Sequence, residues 1–191
     1  MRAQRTLYRS MARRALSASP ENHERFPPSE YYRFFKILAG LKRPNLSVEL
    51  GLCGGGGSFH LAIGYPAGKV VGVEIDEGEP DQQANWAWIQ QHCPNFVLWR
   101  GDSITSAPEI ARYYGKADIL FLDTLHTLRQ TLAEFNAWRP YLSSRAVVCL
   151  DDLVRDGMQE AWDAMPGHKL RLDNLHPGRT EGGFGVVWGG W

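Results

Sequence analysis

The stretch Leu46-Ser47-Val48-Glu49-Leu50-Gly51-Leu52-Cys53-Gly54-Gly55-Gly56-Gly57-Ser58-Phe59-His60-Leu61-Ala62-Ile63 decides the fold. Its first five residues are a short apolar run interrupted by one acid, and they read as a strand. The glycines form a turn, and Ser58 to Ile63 reads as the start of a helix. Strand, glycine turn and helix is how an α/β sheet brings its backbone close to a nucleotide-like ligand. Glycine is needed because a Cβ would collide with the ligand or forbid the backbone angles of the turn.

The alternation continues outward from this stretch. Strands are predicted at 47–50, 70–75, 96–100, 118–123 and 146–151, with helical stretches near 60 and over 85–92, 108–114 and 128–138. The strands are β-branched and almost continuously apolar, as expected when helices cover both faces. This pattern predicts an α/β fold, a Rossmann-like doubly wound parallel sheet with right-handed crossovers. A helix near 159–165 leads to two late strands, 169–172 and 184–188, separated by the turn His176-Pro177-Gly178-Arg179. A hairpin there makes seven strands with the last one antiparallel.

Upstream, Pro27-Pro28-Ser29-Glu30 reads as a helix start, and Tyr31, Phe34, Phe35, Leu38 and Leu41 follow at helical spacing until Pro44-Asn45. Earlier still, Arg2, Arg5, Arg9, Arg13 and Arg14 occur with no acid before Glu21, and Leu7, Met11 and Ala15 repeat at helical spacing. An organelle transit segment has that composition. An amphipathic helix that caps the domain or touches an anionic partner has it too. The expected organisation is an N-terminal helical segment, 1–44, comprising this basic arm and a cap helix, followed by one sheet domain, 45–191.

Composition narrows the class. With 43% hydrophobic and 22% charged residues and zero formal net charge, the chain reads as a globular protein and not a general nucleic-acid binder. No apolar run approaches the ~20 residues that span a bilayer. Cys53, Cys93 and Cys149 form no C-x-x-C pair and no zinc spacing, which points to a reducing, cytoplasmic compartment.

Every predicted parallel strand ends near an acid: Glu49, Glu74, Asp102, Asp123, and the pair Asp151-Asp152. In an open parallel sheet these carboxyl ends share one rim, where the ligand binds. Acids there suit a cationic or hydroxyl-rich ligand. The glycine run lacks G-x-G-x-x-G in any register, and G-x-x-x-x-G-K-[ST] is absent. It reads instead Glu49-x-Gly51-x-x-x-Gly55, which resembles motif I of class I S-adenosylmethionine-dependent methyltransferases. An acid two residues before the first glycine repels a pyrophosphate but suits an ammonium group. The resemblance extends from about Leu46 to Trp188. Val70-Val71-Gly72-Val73-Glu74 is similar to the family's second strand, whose terminal acid binds the ribose hydroxyls. Arg100-Gly101-Asp102-Ser103 resembles the G-D-S beside the adenine. Leu122-Asp123-Thr124-Leu125-His126 resembles the fourth-strand D-x-x-H of small-molecule O-methyltransferases.

The resemblance implies that Glu49, Gly51, Gly55, Ser58, Glu74, Asp102, Ser103 and Asp123 hold S-adenosylmethionine. It implies that Asp123 and His126 face the transferred methyl. Methyl transfer needs alignment and, for a hydroxyl acceptor, removal of a proton. Two devices are available. Asp123, Asp151 and Asp152, ending adjacent strands, could hold Mg²⁺ or another divalent cation, as hard oxygen donors prefer. The pattern resembles catechol and caffeoyl-CoA O-methyltransferases, although Asp152 stands where those have Asn. The alternative device is His126 as general base. One of Trp86 or Trp88 is expected near the adenine, and the other tryptophans in the core. The fourth strand lacks N/D-P-P-Y/F, which favours an oxygen acceptor on a small molecule over a nucleobase or amide nitrogen. A nicotinamide-dependent oxidoreductase and a non-catalytic partner-binding module are the rival readings. A homo-oligomer stays open.

Overall fold

The computed structural model describes residues 1–17, 26, 30–175 and 182–191. The expected helix start at Pro27-Pro28-Ser29 and the turn His176-Pro177-Gly178-Arg179 lie outside the described residues. The strands are β1 (Leu46–Leu50), β2 (Lys69–Glu74), β3 (Phe96–Arg100), β4 (Ala117–Leu122), β5 (Leu142–Leu150), β6 (His168–Arg171) and β7 (Gly185–Trp188). They form one seven-stranded sheet in the order β3-β2-β1-β4-β5-β7-β6. β1 pairs in parallel with both β2 and β4, whereas β7 runs antiparallel to β5 and β6. This is the Rossmann-like, doubly wound sheet with a reversed last strand that the alternation predicts. Its winding direction reverses between β1 and β4, which sets the topological switch there.

Strand sequence explains why the sheet is covered on both sides. All residues of β1 and β4 are buried. Along β4 and β5 alternate residues enter opposite cores, as the two-residue period of a strand demands. Ile119, Phe121, Val147 and Cys149 join one cluster, and Leu120, Leu122, Val148 and Leu150 join the other. The crossover helices are numbered after the two N-terminal ones, α1 (Arg2–Ser17) and α2 (Glu30–Lys42). They are α3 (Gly56–Gly64), α4 (Pro80–His92), α5 (Ala107–Tyr114), α6 (Leu128–Trp138) and α7 (Met158–Ala164).

α1 and α2 pack into the first cluster. Phe35 of α2 meets Phe121 at 4.5 Å between ring centroids, and Phe34 and Phe35 both meet Phe184. In α1, Tyr8, Met11, Ala12 and Ala15 are buried, and the Tyr8 ring lies 4.9 Å from that of Trp188. The helical-spacing reading included Leu7, which is exposed; Tyr8 takes the inward position. The inward face of α1 is thus part of the core.

Two boundaries differ from expectation for identifiable reasons. α4 begins at Pro80, ahead of residue 85, because Glu79 and Gln82 form a reciprocal capping box with Pro80 in the first turn. β5 begins at Leu142, ahead of 146, across an irregular register with β4. There Asp118 accepts from Ser143 Oγ (2.7 Å), Arg145 Nε (3.1 Å) and the Asn45 N–H (2.7 Å), tying the entries of β1, β4 and β5 together. Burial raises the Asp118 carboxyl, but these partners outweigh it and hold the group below its ordinary value. Among the described residues no helix is long and apolar enough to cross a membrane, and all three cysteines are unbridged.

Integration of α1 makes Tyr8 a stability determinant. Tyr8→Ala is expected to cost about 3 kcal/mol, in the range for emptying a buried aromatic site. Urea denaturation checks it; an unchanged midpoint would mean that α1 contributes nothing to the core.

Candidate active site at the β1–β4 switch

The chain leaves β1 through Gly51. Its φ is +83°, and a Cβ there would lie 2.2 Å from the Asp123 carbonyl oxygen, so only glycine fits. The Gly51 N–H donates to Val73 O (3.0 Å), and the Asp123 N–H donates to Leu50 O (2.9 Å). A second glycine is needed for a different reason. A Cβ on Gly57 would sit 2.2 Å from Glu49 Oε1, so the first turn of α3 leaves room for that carboxylate.

Glu49 is 2% exposed, and its Oε2 has no hydrogen-bond partner. Burial pushes the Glu49 carboxyl from 4.5 to about 8; Ser58 offsets part of this, and Glu74 and Asp151 add to it. Glu74, at the end of β2, has both oxygens fixed. Oε2 accepts from the Leu52 N–H (3.0 Å), and Oε1 accepts from the N–H groups of Ile75 (3.0 Å) and Asp76 (3.2 Å).

A cleft of about 420 Å³ opens over the switch, lined among others by Gly51, Glu74, Asp102, Ser103, Asp123, Thr124 and Gln130. Five sequence-predicted residues, Gly51, Glu74, Asp102, Ser103 and Asp123, therefore share one cavity. Glu49, Gly55 and Ser58 do not line it; Glu49 and Ser58 are buried beneath the glycine turn. Neither Trp86 nor Trp88 reaches it. Trp86 donates from Nε1 to Cys53 O (3.0 Å), and Trp88 packs on Phe26, Phe59 and His92.

On the β4 side the acids have partners. His126 Nε2 lies 3.4 Å from Asp123 Oδ1 and 3.7 Å from Asp152 Oδ2, and Arg155 Nε lies 2.6 Å from that same Asp152 oxygen. His126 and Asp152 both adopt left-handed backbone, a conformation that His and Asp tolerate better than most residues. Burial, reinforced by Asp151, Glu49 and Asp152, raises the Asp123 carboxyl well above its ordinary value. Burial also lowers the His126 imidazole, against the pull of Asp152 and Asp151.

The carboxylate trio does not fit a metal as expected. Among the described residues no three His, Cys, Asp or Glu side chains gather into a metal-holding group. The strand ends at Leu150, so Asp151 and Asp152 follow it, and Asp152 is committed to the Arg155 guanidinium.

Sequence reasoning missed several groups. Tyr31 and Tyr32 of α2 stand beside the acids: Tyr31 senses Asp123 and Asp151, Tyr32 senses Glu49 and Asp123, and burial raises both phenols. Their spacing signalled only a core-facing helix. Glu134 of α6 is fully buried and accepts from Ser103 Oγ (2.6 Å), Gln130 Nε2 (2.9 Å) and Thr124 Oγ1 (3.0 Å). Burial raises its carboxyl, and these three donors oppose the rise. Nothing in its local sequence marks it.

The cleft fits S-adenosylmethionine in chemical terms. Carboxylates line it, no Lys or Arg among the described residues does, and an unpartnered buried carboxylate oxygen lies below. Such a lining suits ribose hydroxyls and positive charge, and opposes a pyrophosphate.

Comparison with known proteins agrees. No curated protein sequence matches the chain. Several solved structures share its fold. The O-methyltransferase TomG of Streptomyces achromogenes, involved in tomaymycin synthesis and solved in complex with SAM, is 17% identical, with a TM-score of 0.69 over 96% of this chain and 90% of that one. An O-methyltransferase of Bacillus cereus in complex with SAH is 17% identical, with a TM-score of 0.70 over 97% and 90%. Cofactor-bound Rv0187 from MTB is 18% identical, with a TM-score of 0.70 over 96% and 88%. The family described as "Methyltransferase domain" matches residues 48–153, from β1 to just past the Asp151-Asp152 pair. With more than half its length inside that match and its acids ringing the switch cleft, the chain belongs to the S-adenosylmethionine-dependent methyltransferase family.

Proposed function

We propose that this methyltransferase acts on an oxygen of a small-molecule acceptor, and that Asp123 and His126 manage the acceptor's proton. The observation that carries this reading is the shared cleft: Asp123 lines the same cavity as Glu74 and Asp102, with His126 directly behind it. Bound S-adenosylmethionine supplies an electrophilic methyl group on a sulfonium. Everything else is left to the chain. Glu74, its carboxylate already aligned by three backbone N–H groups, accepts from the ribose hydroxyls. Glu49 offers negative charge to the ammonium group from beneath the glycine turn. An acceptor hydroxyl at Asp123 gives its proton to the Asp123–His126 pair, whose geometry Asp152 and Arg155 hold. Similarity in fold to two O-methyltransferases supports an oxygen acceptor.

No step is routed through a divalent ion, because the Arg155 guanidinium already pairs with Asp152.

Three outcomes are expected. Calorimetric titration with S-adenosylhomocysteine should give saturable binding that Glu74→Ala weakens about 100-fold, since a carboxylate paired with two hydroxyls is lost from a buried site. Full affinity in that variant would remove Glu74 from the ribose site.

The same titration at pH 7 should release close to one proton, read from the dependence of the heat on buffer ionisation. Glu49 is mostly protonated in the free protein at that pH, because its value stands at about 8. A neighbouring ammonium lowers it and drives the proton off. The release should vanish above pH 9 and in Glu49→Gln. Persistence in that variant would assign the proton to another group.

Third, His126→Gln should retain S-adenosylhomocysteine affinity while lowering kcat about 100-fold, in line with loss of a general base. Turnover measured in excess EDTA should match that without it. Turnover that demands added Mg²⁺ would restore the metal reading of Asp123, Asp151 and Asp152.

A further inference from the structure

We propose that α1 and the edge strand β6 form an anion site, remote from the methyl-transfer cleft, that binds a run of phosphates. A nucleic-acid strand and a free polyphosphate chain both carry such a run.

The helical period of α1 lays out its charge. At about 100° per residue, Arg2, Arg5, Arg9 and Arg13 fall within about 80° of one another around the helix axis. The helix contains no acid. Tyr8, Met11, Ala12 and Ala15 hold another face of it in the core, so the arginine stripe rides on a fixed support. Arg5, Arg9 and Arg13 stand about one turn apart, roughly 6 Å along the axis. Successive phosphates of an extended strand are separated by a similar distance.

The stripe borders a cavity. A volume of about 270 Å³ lies between α1 and the end of β6, lined by Arg9, Ala12 and Arg13 on one side and by Arg171, Leu172 and Asn174 on the other. Arg171 is held in place: it donates from Nε and one terminal nitrogen to Asp173 (2.9 to 3.0 Å) and from the other to Gln159 Oε1 (2.7 Å). Arg5 ties the stripe to the same strand by donating to Lys169 O (3.1 Å). Elsewhere arginines find carboxylates: Arg145 pairs with Asp118, Arg155 with Asp152 and Arg112 with Glu109. Among the described residues Arg9 and Arg13 have no such partner. Asp173 offsets Arg171 alone, so the charge of the other two stays uncompensated at the cavity. Like charges gathered in this way repel until an anion sits among them. Guanidinium groups match phosphate oxygens in geometry as well as charge.

A phosphate chain suits this surface better than a lipid bilayer does. A helix that lies in a membrane interface inserts a free apolar face. The apolar face of α1 is already buried, and the exposed Leu7 and Leu16 fall on opposite sides of the helix. With zero net charge the whole molecule does not attract polyanions, so the attraction is local to the stripe. It is also separate from the acid-lined cleft, because β6 is the last strand of the sheet, three positions beyond β4.

Fluorescence anisotropy of a labelled oligothymidylate of about ten nucleotides, a length within the range of single-strand sites, tests the proposal. Wild type should bind it saturably. The logarithm of the association constant should fall with the logarithm of salt at a slope of about −2, as neutralising about three phosphates of a single strand requires. Arg9→Gln and Arg13→Gln should each weaken binding about tenfold and flatten that slope by about 0.7. Arg14→Gln is the control, since Arg14 lies about 100° around the helix from Arg13 and does not line the cavity. It should bind within about twofold of wild type, its charge being outside the stripe. All three substitutions are at exposed positions and should leave the thermal midpoint and the S-adenosylhomocysteine affinity unchanged. Unlabelled tripolyphosphate separates the two sources. Displacement at equal phosphate concentration supports the site and assigns it a free phosphate chain; a strand held about tenfold more tightly supports it and assigns nucleic acid. Equal weakening in Arg13→Gln and Arg14→Gln overturns the proposal, because diffuse attraction then explains the binding. Failure of both probes to bind saturably overturns it as well, including the case in which the protein adsorbs to phosphatidylserine vesicles alone.

Discussion

The site depends on one backbone contact, where β1 passes against the end of β4. Gly51 and the Asp123 carbonyl approach so closely that no Cβ fits between them. That approach follows from the parallel register of β1 and β4, in which Leu50 stands opposite Leu122. From there the two chains must depart in opposite directions, one into the glycine turn and α3, the other toward His126 and α6. The crevice between them is the switch cleft, and two of its acids, Glu74 and Asp123, are placed by strand ends on either side of β1. A side chain at residue 51 would push these loops apart and enlarge the space between cofactor and acceptor positions. Alignment is most of what methyl transfer requires, so this contact carries function as well as fold.

A second constraint is electrostatic. The protein is neutral overall, yet Glu49, Asp151, Asp152 and Glu134 are buried around one cleft, with Asp123 among them. Carboxylates brought together out of water cost several kcal/mol each unless something compensates them. Three of them are compensated in three different ways. Glu49 holds a proton, Glu134 collects three donors, and Asp152 takes Arg155. Glu49 is the least satisfied, because one of its oxygens has no partner. On the proposed reading, a cationic ligand group above it relieves that burial. Proteins retain such unfavourable groups where activity needs them.

How much of this was legible differs by scale. The sheet could be read because its period is written twice over: apolar runs long enough for buried strands, and glycine or acid at each carboxyl end. The antiparallel last strand followed from two late strands too close in sequence for a crossover helix. Site residues on strand ends could be read for the same reason, since a strand end has only one rim to reach. Residues that come from helices could not. Glu134 meets Ser103 and Thr124 only because α6 packs against the β3 and β4 loops, and sequence distance says nothing of that. Tyr31 looked like any other inward aromatic of α2. Arg155 was hidden because its role depends on Asp152 taking left-handed backbone just past β5. The metal expectation failed to find its donor set for this reason: adjacent acids were visible, and the cation already paired with one of them was not.

The helices that precede the sheet cover the site from one side. α2 lies against α3 so closely that a Cβ on Gly64 would meet the Lys36 carbonyl oxygen at 2.6 Å. That contact fixes the height of Tyr31 and Tyr32 over the glycine turn, and the Tyr32 ring lies stacked with His60 at 5.2 Å. Two aromatic rings thereby close the side of the site where the acids are most crowded. The cofactor side is built from strand ends and the loops that follow them, and the covering side from the inward face of α2. On the proposed reading, the chemistry of transfer therefore resides in the switch, whereas the choice of acceptor resides in α2 and in the loops after β4 and β5. Exchanging residues there while leaving Gly51, Glu74 and Asp123 untouched should change what is methylated before it changes whether methylation occurs.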